Sequence, residues 1–327
     1  MAIGHWKSAF LTCAAKLGIA DILQEQPMTA EELAKRTNTH PQSLFRLMRA
    51  LKSMGLFEQN IENKFELTPL GSTLRTGIFR HVIITVSGDE YEPWTNLMHC
   101  IKTGEDGYRH KYGIGYYDHL KEVSSQPDNE EFHNFRLACH ESTMSFNSNF
   151  TKFYDFTQFK HIIDCGGNDG TFLSLVLKSA PNAKGTVYDE APAIAEAMKN
   201  IERQGLSHRM TGIAGSFVDS VPEGGDCYIM KSVFMDWIGE SATSILMNIR
   251  ARMNSDTKLL LILSVVPENG PVHPGKYFDI YYLLFTGGVE RTRTELEETL
   301  KTAGLKINKI VPTDYPIYDI VEIVLDI

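Results

Sequence analysis

Ile163-Asp164-Cys165-Gly166-Gly167-Asn168-Asp169-Gly170 is the stretch whose reading decides the fold. It continues an apolar run, His161-Ile162-Ile163, and is followed by TFLSLVLKSA, which has the spacing of a buried helix. Strand, glycine-rich turn and helix in that order make a nucleotide-binding turn, because glycine lets the backbone approach a bulky ligand closely. The next strand, GTVYDE, ends at Asp189, nineteen positions after Gly170. A carboxylate there can accept both hydroxyls of a ribose. The spacing is not the GxGxxG of a dinucleotide site. Asp164, inside the turn, would repel a pyrophosphate and suits a cationic nucleoside. S-adenosylmethionine (SAM), with its sulfonium and ammonium, has that chemistry.

Outward from this turn, strands alternate with helices to the C-terminus. GTVYDE, APAIAEAMKNIERQG, CYIMKSV, a helix near 240–253 and KLLLILSVV imply a doubly wound α/β sheet. The chain ends in KINKIVPTD and IYDIVEIVLD, two strands joined by a short turn, which imply an antiparallel strand at one sheet edge. On the N-terminal side, residues 1–24 read as one amphipathic helix. Thr29 and Glu32 form a capping box, Pro41 opens a helix and Gly55 closes it. FEQNIENKFELTPLG then reads as two short strands about a polar turn, completing a winged-helix pattern. Residues 80–150 form a second helical stretch. The expected organisation is a winged-helix-like dimerisation domain over 1–105, a helical linker lining the active site over 106–150, and a Rossmann-like domain over 151–327.

Composition narrows the function. Hydrophobic content is 43% and charged content 22% over 327 residues, ordinary for a globular protein with two cores. Arg46, Arg49 and Lys52 on the winged-helix segment keep a DNA-binding reading open, but the formal charge of −9 opposes it. The five cysteines are scattered, without a CxxC pair or metal spacing, and read as reduced thiols of a cytoplasmic protein. No metal site is expected, and no membrane segment, since no apolar run reaches eighteen residues.

Several motifs in order resemble those of the SAM-dependent small-molecule O-methyltransferases of plant and bacterial secondary metabolism. They are Gly18-Ile19-Ala20-Asp21 with Leu23, Leu44 to Leu51, Phe153-Tyr154-Asp155-Phe156, Asp164 to Gly170, Asp236-Trp237 and Gly287-Gly288-Val289-Glu290-Arg291-Thr292. The resemblance implies a winged-helix dimerisation domain, a SAM-binding Rossmann-like domain with a mostly parallel seven-stranded sheet, and a homodimer acting on a small molecule without nucleic acid or membrane. It places Asp164, Gly166 and Gly167 at the methionine part of SAM and Asp189 at the ribose. Ser216 and Phe217 fall at the adenine, and Lys231 near the cofactor.

One departure matters. The family has a histidine before the Asp-Trp pair that takes the acceptor's proton, and here that position is Met235, whose thioether is no base. A second family acid falls at Leu263. Glu290 remains, and His140 is a candidate replacement. Met144, Asn147, Met235, Trp237, Tyr282 and Phe285 fall near family pocket positions and imply an apolar, aromatic acceptor site. Methyl transfer to a hydroxyl of an aromatic or polyketide-like acceptor, driven by positioning, is the leading expectation. A SAM-dependent reaction that does not consume SAM, and a non-catalytic binding protein, are the alternatives.

Overall fold

The structure is a computed structural model. It describes residues 2–326 except 127, 148, 271 and 316, and omits the side chains of 146 and 147. The chain forms two compact units, Met1–Glu92 with Glu122–Ser145, and Pro93–Lys121 with Phe146–Ile327.

In the first unit the opening helical stretch is two helices, Gly4–Lys16 and Ile19–Glu25, instead of one. Gly18 lies between them at φ 64°, where glycine adopts the left-handed conformation without a Cβ penalty, so the first helix terminates there. The capping box is formed at Ala30–Thr37: Glu32 N–H donates to Thr29 Oγ1 and Thr29 N–H donates to Glu32 Oε2. Pro41 opens the helix Pro41–Ser53, and strands β1 (Phe57–Gln59) and β2 (Phe65–Leu67) pair antiparallel as a short wing. Leu33, Met48, Leu51, Phe57 and Phe65 fill the centre. The helix Glu130–Asn147 is tied to this unit by Glu141. Its buried carboxylate accepts Gly77 N–H at 2.9 Å and His81 N–H at 2.8 Å, and lies 2.7 Å from His81 Nδ1.

The second unit holds the seven-stranded sheet. Its strands are β3 (His161–Cys165), β4 (Lys184–Asp189), β5 (Met210–Ala214), β6 (Cys227–Lys231), β7 (Lys258–Leu263), β8 (Leu305–Pro312) and β9 (Asp319–Leu325). Their order is β5-β4-β3-β6-β7-β9-β8. The pairs from β5 to β7 are parallel, whereas β9 runs antiparallel to both neighbours. The antiparallel strand therefore sits one place inside the edge. After the helix Arg293–Thr302 the chain passes to the outer position, β8, and the closing hairpin slots β9 against β7.

Alternate residues along each strand face opposite sides. Ile162, Val187, Ile229 and Leu260 pack on Leu173, Val176, Ala197 and Ile201 of the helices Thr171–Ser179 and Ala191–Arg203. Ile163, Leu259 and Leu261 pack on Ile245, Leu246, Leu296 and Leu300 of the helices Gly239–Arg250 and Arg293–Thr302. Burial on both faces explains why these strands read as nearly continuous apolar runs. The strand order reverses at β3, where β4 lies on one side and β6 on the other. Open α/β sheets bind ligands at that switch point, beyond the strands' C-terminal ends.

Candidate cofactor and acceptor site

The turn after β3 occupies the switch point. Gly166 has φ 81°, and a Cβ on it would lie 2.6 Å from Val233 Cγ2, in the loop after β6. The two loops touch there, and only glycine permits the approach. A Cβ on Gly167 would come within 2.9 Å of Asp164 Oδ2 and of Val187 Cγ1. Asn168 is held at φ 48° and donates its N–H to Asp189 Oδ2 at 2.8 Å. Asp189 Oδ1 accepts Glu190 N–H at 2.7 Å. The turn after β3 is thus joined to the acid that ends β4.

Asp164 is 1% exposed, and among the described residues neither of its carboxylate oxygens has a hydrogen-bond partner. Burial raises its pKa to about 7; the Lys231 charge opposes the rise and the Asp189 charge adds to it. A buried carboxylate without partners is costly unless a cation or donor arrives. Asp189 is also raised, chiefly by burial, against the two backbone hydrogen bonds that lower it. Lys231, at the end of β6, places Nζ 5.6 Å from the centre of the Phe172 ring and 5.4 Å from that of Tyr318. Its ammonium is held between two aromatic faces beside the acidic turn. Ser216 Oγ is engaged locally, accepting Val218 N–H at 3.3 Å, and Phe217 meets Trp237 edge to face at 5.7 Å.

The loop after β6 carries a second acidic group of residues. A short 3₁₀ turn, Phe234–Asp236, encloses Met235 to 1% exposure, and the Met235 carbonyl accepts Val289 N–H at 2.8 Å. Asp236 points both oxygens at hydroxyls: Tyr117 donates to Oδ2 and Thr286 to Oδ1, each at 3.0 Å. Burial raises Asp236 to about 7, although both hydrogen bonds favour the carboxylate. Glu290 is buried, and Oε2 has no partner among the described residues. Its backbone N–H donates to Asp279 Oδ1 at 2.9 Å. Burial, then the Asp279 and Asp236 charges, push it up to about 9, against Arg291 and the Ser264 backbone. A carboxyl raised this far keeps its proton at neutral pH, and in that form can donate a hydrogen bond. Arg291 donates to the Trp237 carbonyl at 2.7 Å and stacks over Phe234.

The remaining expected acceptor-site residues are distributed. Tyr282 is half buried, and its carbonyl accepts Thr286 N–H and Gly288 N–H. Phe285 is fully enclosed, ringed by Trp94, Tyr108, Tyr116 and Tyr281. His140, half buried, and Met144, 40% exposed, belong to the helix Glu130–Asn147 in the first unit. The side chain of Asn147 lies outside the described residues. Sequence reading did not single out Tyr117, Thr286 or Asp279. Tyr117 falls in a glycine- and tyrosine-rich stretch that reads as a loop but forms the start of the helix Tyr116–Ser124, and the hydrogen bond to Asp236, 119 positions away, marks it.

Known proteins share this architecture. Residues 94–306 match the model of an O-methyltransferase domain, and residues 1–77 that of an O-methyltransferase dimerisation domain. The chain is 32% identical to the phenazine O-methyltransferase of Lysobacter antibioticus, over 96% of this chain and 91% of that one. It is also 32% identical to the 8-amino-8-demethylriboflavin N,N-dimethyltransferase of Streptomyces davaonensis, over 94% and 89%. An O-methyltransferase from neocarzinostatin biosynthesis, solved with S-adenosyl-L-homocysteine and 1,4-dihydroxy-2-naphthoic acid, superposes with a TM-score of 0.81 at 29% identity, covering 98% of this chain and 96% of that one.

Proposed function

Because the chain belongs to the O-methyltransferase family, we propose that it transfers a methyl group from SAM to a hydroxyl of a small aromatic or polyketide-like natural-product intermediate. The observation that carries the reading is Asp164: a buried carboxylate, without hydrogen-bond partners among the described residues, beside a glycine cradle. These residues fit a cationic nucleoside, and a neutral one would leave the Asp164 charge unanswered. SAM, when bound, supplies an electrophilic methyl on a sulfonium centre. Asp164, Gly166 and Gly167 would hold its amino-acid end, Asp189 its ribose, and Ser216 with Phe217 its adenine. Lys231 would balance the charge of the two acids.

For the acceptor, Glu290 donates a hydrogen bond that orients the attacking oxygen or a water. Trp237 and Tyr282 supply apolar surface, with the enclosed Met235 and Phe285 in the same unit. Met235 has no proton to exchange, so rate comes from holding the reactants together and excluding water. Such positioning suffices for an acceptor that ionises readily.

The buried thioether at the position of the family base, with Leu263 in place of an acid, favours one second reading: SAM acts by its charge and is not consumed. Stoichiometry separates the two. With hydroxynaphthoates and hydroxyphenazines as acceptors, one S-adenosylhomocysteine per product is expected. Product without S-adenosylhomocysteine would reject methyl transfer while leaving the SAM site in place. Under methyl transfer, kcat follows acceptor ionisation and shows no imidazole titration. Met235→His is expected to be harmless or mildly helpful and to introduce a new inflection near imidazole's ordinary range, about pH 6.5. An imidazole-like inflection already present in the unsubstituted enzyme would assign the base to a histidine such as His140.

The dimerisation domain implies a homodimer. On the first unit, Ile3, Trp6, Phe10, Ala50 and Met54, with Lys7 and Ser53, line a mostly apolar concavity, with Trp6 52% exposed. An exposed apolar surface of this kind suits a partner chain. Deleting residues 1–24 is expected to give a monomer or aggregate by light scattering, and a stable, active monomer would refute the role of this segment.

A further inference from the structure

We propose that His99, Glu105 and His110 form a surface site for a divalent transition-metal ion, Zn²⁺ foremost. The three side chains offer two imidazole nitrogens and a carboxylate oxygen, all within 4.8 Å of one another. His99 Nε2 lies 2.9 Å from Glu105 Oε2, and the His99 and His110 rings stack with centroids 3.5 Å apart and planes 11° apart. Donors around a tetrahedral zinc with bonds of about 2.0–2.1 Å stand roughly 3.3 Å apart. Small rotations of exposed side chains therefore suffice to converge this set. Two imidazoles and one carboxylate match the borderline softness of zinc, and they leave a fourth position for water.

The local fold explains how the three meet. The helix Leu97–Thr103 stops at Gly104, which is left-handed at φ 76°, and Asp106 caps the helix Gly107–Tyr112 by accepting Tyr108 N–H and Arg109 N–H. A Cβ on Gly107 would lie 2.6 Å from Cys100 Sγ, so the two helices cross closely at this point. That crossing sets His99 against His110, while Thr103 Oγ1 accepts Glu105 N–H and holds the acid in the turn. Neighbouring groups leave the donors open. Arg109 is paired with Asp106 and Asp118, and the buried Cys100 thiol donates to the Asn96 carbonyl. A bound ion would cross-link the two helices and brace Tyr108, which packs against Tyr116 and Phe285.

The test uses the full chain, stripped with EDTA, desalted and titrated with Zn²⁺ against nitrilotriacetate, and separately with Co²⁺ followed by visible absorption. One equivalent per chain is expected, with the intense d–d bands of low-coordinate cobalt and a thermal midpoint that rises with Zn²⁺. His99→Ala and His110→Ala should each weaken binding at least about tenfold, the scale of losing a ligand contact. Glu105→Gln, an exposed and nearly isosteric change, should weaken it as well and guards against misfolding of the histidine variants. His208→Ala, on an exposed histidine elsewhere, should change nothing. No saturable binding at one equivalent would overturn the site. So would unchanged affinity in a folded Glu105→Gln and His110→Ala, or a cobalt spectrum dominated by thiolate charge transfer, which would put the ion on a cysteine such as the exposed Cys13.

Discussion

Asp189→Ala is expected to weaken SAM binding at least tenfold, read by calorimetry on the folded variant. The carboxylate ends β4 beside the switch point, and each oxygen already accepts one backbone N–H. A second lone pair on each oxygen remains for the ribose hydroxyls. Hydrogen bonds to a charged acceptor contribute roughly 1.5–3 kcal/mol each, and about 1.4 kcal/mol is a factor of ten. The substitution has a further cost. It removes the acceptor of the Asn168 N–H, whose φ of 48° is uncommon outside glycine although asparagine tolerates it. Asp189→Asn keeps one acceptor oxygen and loses the charge, so its loss should be smaller. Unchanged affinity in folded Asp189→Ala would remove this residue from the site.

The second large effect is on pH dependence. In the ligand-free protein burial lifts Asp164 to about 7. Below that pH it holds a proton that a cationic ligand must displace. SAM affinity should therefore rise by roughly tenfold per pH unit on the acid side and level off as pH passes 7. The stability of the ligand-free chain moves the opposite way. An unfolded aspartate loses its proton near about 3.9, whereas folded Asp164 keeps its proton until about 7. The folded state binds more protons across that window, so its stability falls as pH rises from about 4 to 7. Asp236 and Glu290, raised by burial to about 7 and about 9, act with the same sign. Asp164→Asn should flatten the acid limb of SAM binding and weaken binding at pH 7.5. An affinity independent of pH between 6 and 7.5 in the unsubstituted protein would show that Asp164 does not face the cation.

Much of this protein is legible residue by residue. The apolar strand before Gly166, the acid ending β4 and the helix–strand alternation are local patterns, and each matches an element that local backbone chemistry specifies. The capping box at Thr29 and the proline at the start of Pro41–Ser53 act over a single helical turn, so sequence alone locates them. Other elements leave no such local pattern, among them the helices Gly107–Tyr112 and Tyr116–Ser124 inside a glycine- and tyrosine-rich stretch that reads as a loop. Strand β5, MTGIA, is short and mostly exposed, with no alternation to betray it. Gly18 is compatible with a continuous helix in the sequence, whereas its left-handed backbone separates two helices in the fold.

What the sequence by itself determined is therefore the class of fold, the order of its strands and helices, and the residue types at the turn that meets a cationic nucleoside. The tertiary structure alone decided which groups lose water and which find partners. Asp164 and Glu290 are ordinary acids in the sequence; burial raises both, and among the described residues Oδ1 and Oδ2 of one and Oε2 of the other have no hydrogen-bond partner. Tyr117 reaches Asp236, and His99 stacks on His110, only because helices and loops settle at particular registers. Periodicity reports the face a residue occupies on its own element. Desolvation and long-range pairing depend on how separate elements pack, which no local pattern encodes.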